Sequence, residues 1–231
     1  SSVYPGTSQE SLIDPETVFK IALQMHESGS KDYGSPKYDA SYWRETHKPG
    51  GSKDTSSHAF GVAQWEPDAW NKAANAWNEK NSNDKVRVVT GKDIENDNLP
   101  SPTEQDKVWK IHNQFLANEV GPNASLVDRF ADHQLGSGNY RLMNKYSDDT
   151  PMKNIPFRYK KGVNGLLIAH NVSAAKETVG QYKERIRGVL DGAAAYQGGI
   201  MATGTPDRAP TQLAQETSDL ASEAATKHNI R

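Results

Sequence analysis

The chain has 231 residues, 27 basic against 29 acidic side chains, and no cysteine. That length allows one sizeable core or two small lobes, the charge balance argues against a basic groove that tracks nucleic acid, and the missing cysteines exclude a disulfide framework, a thiolate nucleophile and a cysteine-based zinc site, an absence compatible with any redox compartment. No apolar run approaches the roughly 18 residues of a membrane helix, and the first residues are polar, so neither a membrane span nor an intact signal peptide is expected. A first residue other than methionine fits a processed, trimmed or partial chain, and leaves room for a removed export signal.

In chain order, Asp14-Pro15-Glu16 is a helix start: a capping side chain, proline at the first helical position and an acid near the positive end of the dipole. Val18, Ile21, Ala22 and Met25 recur at helical spacing, which places Glu27 where the apolar face ends. From Ser28 to Ser57 the composition turns to Gly, Ser, Lys, Pro and Tyr, an irregular stretch too long for an ordinary connection and read as one wall of a cleft. A helix is predicted over Pro67–Lys80, a short strand over Lys85–Thr90 and a linker over Gly91–Pro102. Thr103-Glu104-Gln105-Asp106 opens a helix that buries Val108, Ile111, Phe115 and Leu116, with Trp109 as core. Asn123 or Ser125 caps the next helix, with Leu126, Val127 and Phe130 inward, and Gly136-Ser137-Gly138 stops it. A short helix over Tyr140–Tyr146, a loop over Asp148–Gly162, a buried apolar segment over Gly165–Asn171 and a long helix over Lys176–Tyr196 complete the pattern. The tail from Gly198 has only Leu213, Leu220 and Ala224 as apolar markers. The expected division is therefore an N-terminal segment 1–13, a domain 14–197 and a flexible or partner-docking tail 198–231.

Glu27-Ser28-Gly29 at a helix end, followed by Phe60-Gly61-Val62-Ala63-Gln64, is the most informative pairing. A carboxylic acid facing a glycine-containing turn is the minimum equipment for protonating a glycosidic oxygen, provided apolar neighbours such as Met25 and Phe60 keep the acid neutral. Taken alone, Glu-Ser-Gly is more simply read as the end of a surface helix, and the motif is weak by itself. Asp32, Asp54 and Glu66 are further acids, and nothing in their spacing singles one out as a second catalytic carboxylate. Tyr38, Tyr42, Trp43 and Trp65 are candidates to stack on sugar rings, with packing as the competing reading. No metal site is expected. His26-Glu27 lacks the second histidine of the zinc-protease pattern, position 30 being serine, and His47, His58, His112, His170 and His228 show no paired ligand spacing.

Read in order, four segments resemble the lytic transglycosylases of the lysozyme-like superfamily. Glu27-Ser28 matches the motif of the catalytic acid; Gly61-Val62-Ala63-Gln64 matches Gly-Leu-Met-Gln; Asp132-His133-Gln134-Leu135-Gly136-Ser137-Gly138 matches Ala-Tyr-Asn-Ala-Gly-Pro-Gly in its two glycines; Glu177-Thr178 with Tyr182 matches the fourth. His133-Gln134 is similar to the form in phage-encoded virion members, and Ala169-His170-Asn171 is an alternative third motif. The resemblance implies a mainly α, lysozyme-like domain (goose-type or soluble-lytic-transglycosylase-like) with a long irregular loop or small β lobe. It implies peptidoglycan as the partner, no cofactor, and a place in a phage virion acting on the cell wall or, alternatively, in the bacterial periplasm. Glu27 would protonate the leaving oxygen and then take the C6 hydroxyl proton, closing a 1,6-anhydro ring. Ser28, Gly61, Gln64, His133, Gln134, Gly136 and Tyr182 would bind substrate or support the acid, with Tyr182 touching the Glu27 carboxyl. A hydrolytic muramidase and a catalytically silent wall-binding or structural module are the competing functions.

Overall fold

The computed structural model describes residues 14–158 and 172–203. Residues 1–13, Gly165–Asn171 with the alternative motif His170-Asn171, and the tail markers Leu213, Leu220 and Ala224 lie outside the described residues. The protein is mainly helical: α1 Pro15–Ser28, α2 Tyr42–His47, α3 Pro67–Lys80, α4 Gly91–Glu95, α5 Pro102–Val120, α6 Leu126–Leu135, α7 Ser137–Met143, a 3-10 turn Met152–Asn154, α8 Val172–Ala175 and α9 Val179–Thr203. Among the described residues, β structure is confined to isolated bridges. No described helix is long and apolar enough to cross a membrane. The residues form two compact units, Leu23–Phe115 and the flanking segments up to Ala22 and from Leu116, with both boundaries inside helices.

In the central unit the long stretch after Ser28 is held by side chains instead of a sheet. Ser30 Oγ donates to the carbonyls of Asp32 and Ser35 at 3.0 and 2.8 Å. α2 is capped by Ser41, whose hydroxyl accepts from Arg44 N. The strand expected over Lys85–Thr90 does not form. The segment is extended, but its backbone partners are asparagine side chains on α3: Asn78 exchanges two bonds with Val86 at 2.8 and 2.9 Å, and Asn71 exchanges two with Val89 at 2.8 and 2.7 Å. A side-chain amide has the donor and acceptor of a peptide group, so two asparagines about two helical turns apart substitute for a neighbouring strand. Gly91–Pro102 is likewise no plain linker, since Thr90 and Asp93 form a reciprocal capping box that starts α4. Ser101, not Thr103, opens α5: its hydroxyl accepts from Glu104 N and its N–H donates to Glu104 Oε1. The core comprises Phe60, Trp65 and Trp70, with ring centroids 5.1 to 6.3 Å apart, together with Val86, Val89, Ile94, Val108 and Trp109.

In the flanking unit, Phe19 meets Phe130 edge-on at 6.4 Å, and Arg129 lies over the Phe19 ring while reaching Glu16. Ser125 and Asp128 form the capping box of α6, and Gly136, at φ +82°, makes the turn from α6 into α7. α7 starts at Ser137, ahead of the expected Tyr140. The last helix starts at Val179 and continues to Thr203, past Tyr196.

Asp132 is buried on α6, and both its carboxyl oxygens are sealed from solvent. As two carboxylates, Asp132 and Glu119 have no donor between them; with one proton they share a hydrogen bond. Burial, then the bond to Glu119 and its charge, push Asp132 up to about 8, against a smaller opposing pull from Arg141. A folded-state value above the unfolded one gives a stability contribution that is complete below about pH 4 and is lost as pH rises toward 8. Asp132→Asn keeps a donor for Glu119 but removes the titration. We therefore expect the variant to match the parent near pH 4 in thermal melts and to exceed it by about 5 °C or more at pH 8.5.

Candidate active site

Glu27 occupies the last turn of α1. The residue is only partly exposed, Oε1 is sealed from solvent, and burial raises the carboxyl from 4.5 to about 8. An acid in that range keeps its proton at neutral pH. The helix ends as the sequence predicts: Gly29 takes φ +69° and donates to His26 O at 3.3 Å. Ser28 is buried, and its hydroxyl accepts the Lys37 N–H at 3.1 Å. Its visible duty is thus to hold the loop that follows Glu27, and desolvation is what shifts the acid.

The Gly61–Gln64 turn belongs to the same unit. Phe60 and Trp65 exchange two backbone hydrogen bonds at 3.0 Å, and the intervening residues close with Gln64 N donating to Gly61 O at 3.2 Å. Gly61 and Gln64 both have positive φ, +76° and +49°. Gln64 Nε2 donates to Gly61 O at 2.9 Å and more weakly to Ala40 O at 3.4 Å. The amide nitrogen of Gln64 therefore braces its own turn, which leaves Oε1 as the end to accept an N–H from a ligand.

Sequence reasoning missed Gln105. This side chain is fully buried on α5; Oε1 accepts the Val62 N–H at 3.0 Å, and Nε2 donates to the carbonyls of Tyr38 at 2.8 Å and Pro100 at 3.0 Å. It joins the turn to two distant loops. The glycine at 61 is the only signal that pointed there, because a Cβ at that position would stand 2.5 Å from Gln105 Oε1.

Of the expected sugar-stacking aromatics only Trp65 is buried; Tyr38, Tyr42 and Trp43 are partly exposed and each has a neighbour that positions it. Trp65 is buried against Phe60, Trp70 and His112, so its ring is core. Trp43 stacks on the imidazoles of His47 and His58, with centroids 3.7 and 4.9 Å away. Tyr42 donates its hydroxyl to Asp54 Oδ2 at 2.6 Å, and Tyr38 donates its own to Asp106 Oδ1 at 2.7 Å. Trp109 is core, as predicted.

In the flanking unit, Tyr182 is buried on α9 and donates its hydroxyl to Gln134 Oε1 on α6 at 2.5 Å. His133 is half-buried beside it on α6, and Gly136 is exposed at the helix end. Glu177 is buried at the turn before α9; Arg185 Nε reaches both its oxygens at 3.0 and 3.1 Å, and the Arg185 guanidinium lies 5.6 Å from the Tyr182 ring centre. Desolvation raises the Glu177 carboxyl and outweighs the pull of Arg185. The third and fourth expected motifs are thereby joined within one unit through Gln134 and Tyr182.

No family model, curated protein or solved structure matches the chain.

Proposed function

We propose that the chain is a peptidoglycan lytic transglycosylase in which Glu27 is the single catalytic acid and base. One observation carries the reading: the carboxyl at the end of α1 has an oxygen sealed from solvent, and burial pushes it up to about 8. In the proposed reaction the Glu27 proton passes to the glycosidic oxygen as that bond breaks. The carboxylate left behind is buried, which makes it a stronger base than an exposed glutamate, so it recovers a proton from the C6 hydroxyl as O6 bonds to C1. Gln64 Oε1 accepts a substrate N–H, and the Gly61 turn aims it. A lysozyme-like fold and a role in phage entry through the cell wall, with the bacterial periplasm as the alternative setting, rest on the motif order and on His133-Gln134.

The other acids favour the single-carboxylate mechanism over hydrolysis, which needs a second carboxylate as base or nucleophile. Asp32 accepts Gly34 N–H, Asp54 accepts the Tyr42 hydroxyl and Ser56 N–H, and Glu66 accepts the Ser57 hydroxyl and His58 N–H. Each is engaged in holding a loop. Turbidity of purified cell walls tests the assignment: clearing by the parent chain and none by Glu27→Gln supports it, whereas equal behaviour of the two removes it.

Tyr182→Phe separates support from packing. Loss of the hydroxyl leaves Gln134 Oε1 without that donor, and a cost of about 1 kcal/mol in stability is expected. A supporting role adds slower wall clearing at an unchanged half-saturating wall concentration. If only the melting temperature falls, Tyr182 is a core residue and nothing more.

A further inference from the structure

Apart from Glu27 and its turn, the central unit holds an open cavity of about 400 Å³ whose walls include Tyr38, Asp39, Arg44, Asp97, Pro100 and Ser101. The walls are fixed. Gln105 Nε2 holds the carbonyls of Tyr38 and Pro100, the Tyr38 hydroxyl is tied to Asp106, and the Ser101 N–H and hydroxyl are locked by Glu104. Asp97 is kept in the left-handed region at φ +58°, unusual for a residue with a side chain, with its N–H on Ile94 O at 3.0 Å. Through Gln105 the cavity walls share one side chain with the turn that carries Gln64.

The charges in these walls select a ligand. Arg44 Nε and Nη2 both reach Asp97 Oδ1, at 3.2 and 2.5 Å, so those two charges balance. Asp39 is exposed and has no ion-pair partner among the described residues, which leaves the cavity one negative charge in excess. An anion would be repelled there; a neutral sugar could donate hydroxyls to Asp39, but only a cation is also drawn by the net charge. A primary ammonium can neutralise that excess by pairing with Asp39.

We propose that this cavity binds a primary ammonium group carried by the cell-wall polymer, an inference that rests on reading the chain as a wall enzyme. Two sources have that chemistry: the free amine of a deacetylated glucosamine, and the side-chain amine of a diamino acid in the stem peptide. Calorimetric titration of the full chain distinguishes them. The probes are glucosamine tetramer against its N-acetylated twin, and the tetrapeptide L-Ala-γ-D-Glu-L-Lys-D-Ala against its Nε-acetylated twin, each with the parent and with Asp39→Asn. Asp39 lies at the surface, so the substitution leaves the core untouched, and circular dichroism verifies that.

In one arm the free amine is expected to bind at least about tenfold more tightly than its acetylated twin, with that preference lost in Asp39→Asn. The arm that shows it names the source. Equal binding of both twins in both arms, no binding of any probe, or an amine preference that survives Asp39→Asn overturns the proposal. Wall clearing that depends on Glu27, found together with any of those results, leaves the enzyme reading standing and removes only this site.

Discussion

Glu27→Gln is expected to abolish wall clearing, by at least about 100-fold, while making the protein more stable at neutral pH. The two effects have one cause. Burial raises the Glu27 carboxyl to about 8, so at pH 7.5 folding must take up a proton that the unfolded chain, titrating near 4.5, does not hold. The associated stability is complete below about pH 4.5 and is lost as pH climbs to 8. Glutamine does not titrate. The variant should therefore match the parent near pH 4 and exceed it by up to about 4 kcal/mol at pH 7.5, a gain of several degrees in melting temperature. Clearing by the parent should decline above about pH 8, where the acid loses its proton. A glutamate kept only for packing predicts no loss of clearing in the variant, and an acid with an ordinary titration predicts no pH-dependent gain in stability. Stability surrendered for reactivity is the usual bargain at an active site.

Gly61→Ala is expected to destabilise the Leu23–Phe115 unit by about 3 kcal/mol. The backbone contributes part of this, because φ +76° is left-handed and costs a side-chain-bearing residue about 1–2 kcal/mol. The remainder is steric: the new Cβ would stand 2.5 Å from Gln105 Oε1 and 3.3 Å from Trp65 Cζ3. The end of a glutamine is normally free to move aside. Here it is buried and bonded to Val62, Tyr38 and Pro100, so moving it strands backbone groups that have no access to water. Gly29→Ala provides the control, since it has φ +69° and nothing within 4 Å of its Cβ, and should cost only the backbone part. In a Gln105→Ala background the cost of Gly61→Ala should fall toward that of Gly29→Ala, a coupling of about 1–2 kcal/mol in a double-mutant cycle of urea melts. Additive costs would mean that Gln105 does not hold the turn.

Several elements were legible because their cause is local. Proline at the start of α1, the Ser125 cap of α6 and the apolar spacing of α1 each act within a few residues, and the structure has them where the pattern predicts. Thr90 and Asp93 carried the same kind of signal for α4, hidden by the loop-like composition around them. Lys85–Thr90 was misread for a different reason. Alternation reports an extended backbone but not its partner, and here the partner is a pair of asparagines on a helix. Gln105 was illegible because its three backbone partners are far from it along the chain or belong to loops, and nothing marks a glutamine in a helix as a clamp. Asp132 beside Glu119 likewise reads in sequence as two ordinary surface acids. Among the aromatics, composition located Trp43 and Trp65 near the turn, but whether a ring faces solvent or a neighbouring ring depends on packing that periodicity does not encode.

The central claim is that Glu27 cleaves glycan by itself, without a second carboxylate. Mass spectrometry of purified sacculi digested by the parent chain and by Glu27→Gln tests it most directly. The account predicts soluble fragments ending in 1,6-anhydro-muramic acid from the parent and none from the variant. Fragments with reducing ends would contradict the single-acid mechanism, and the same fragments from both proteins, or none from either, would contradict the assignment of Glu27 as a catalytic residue.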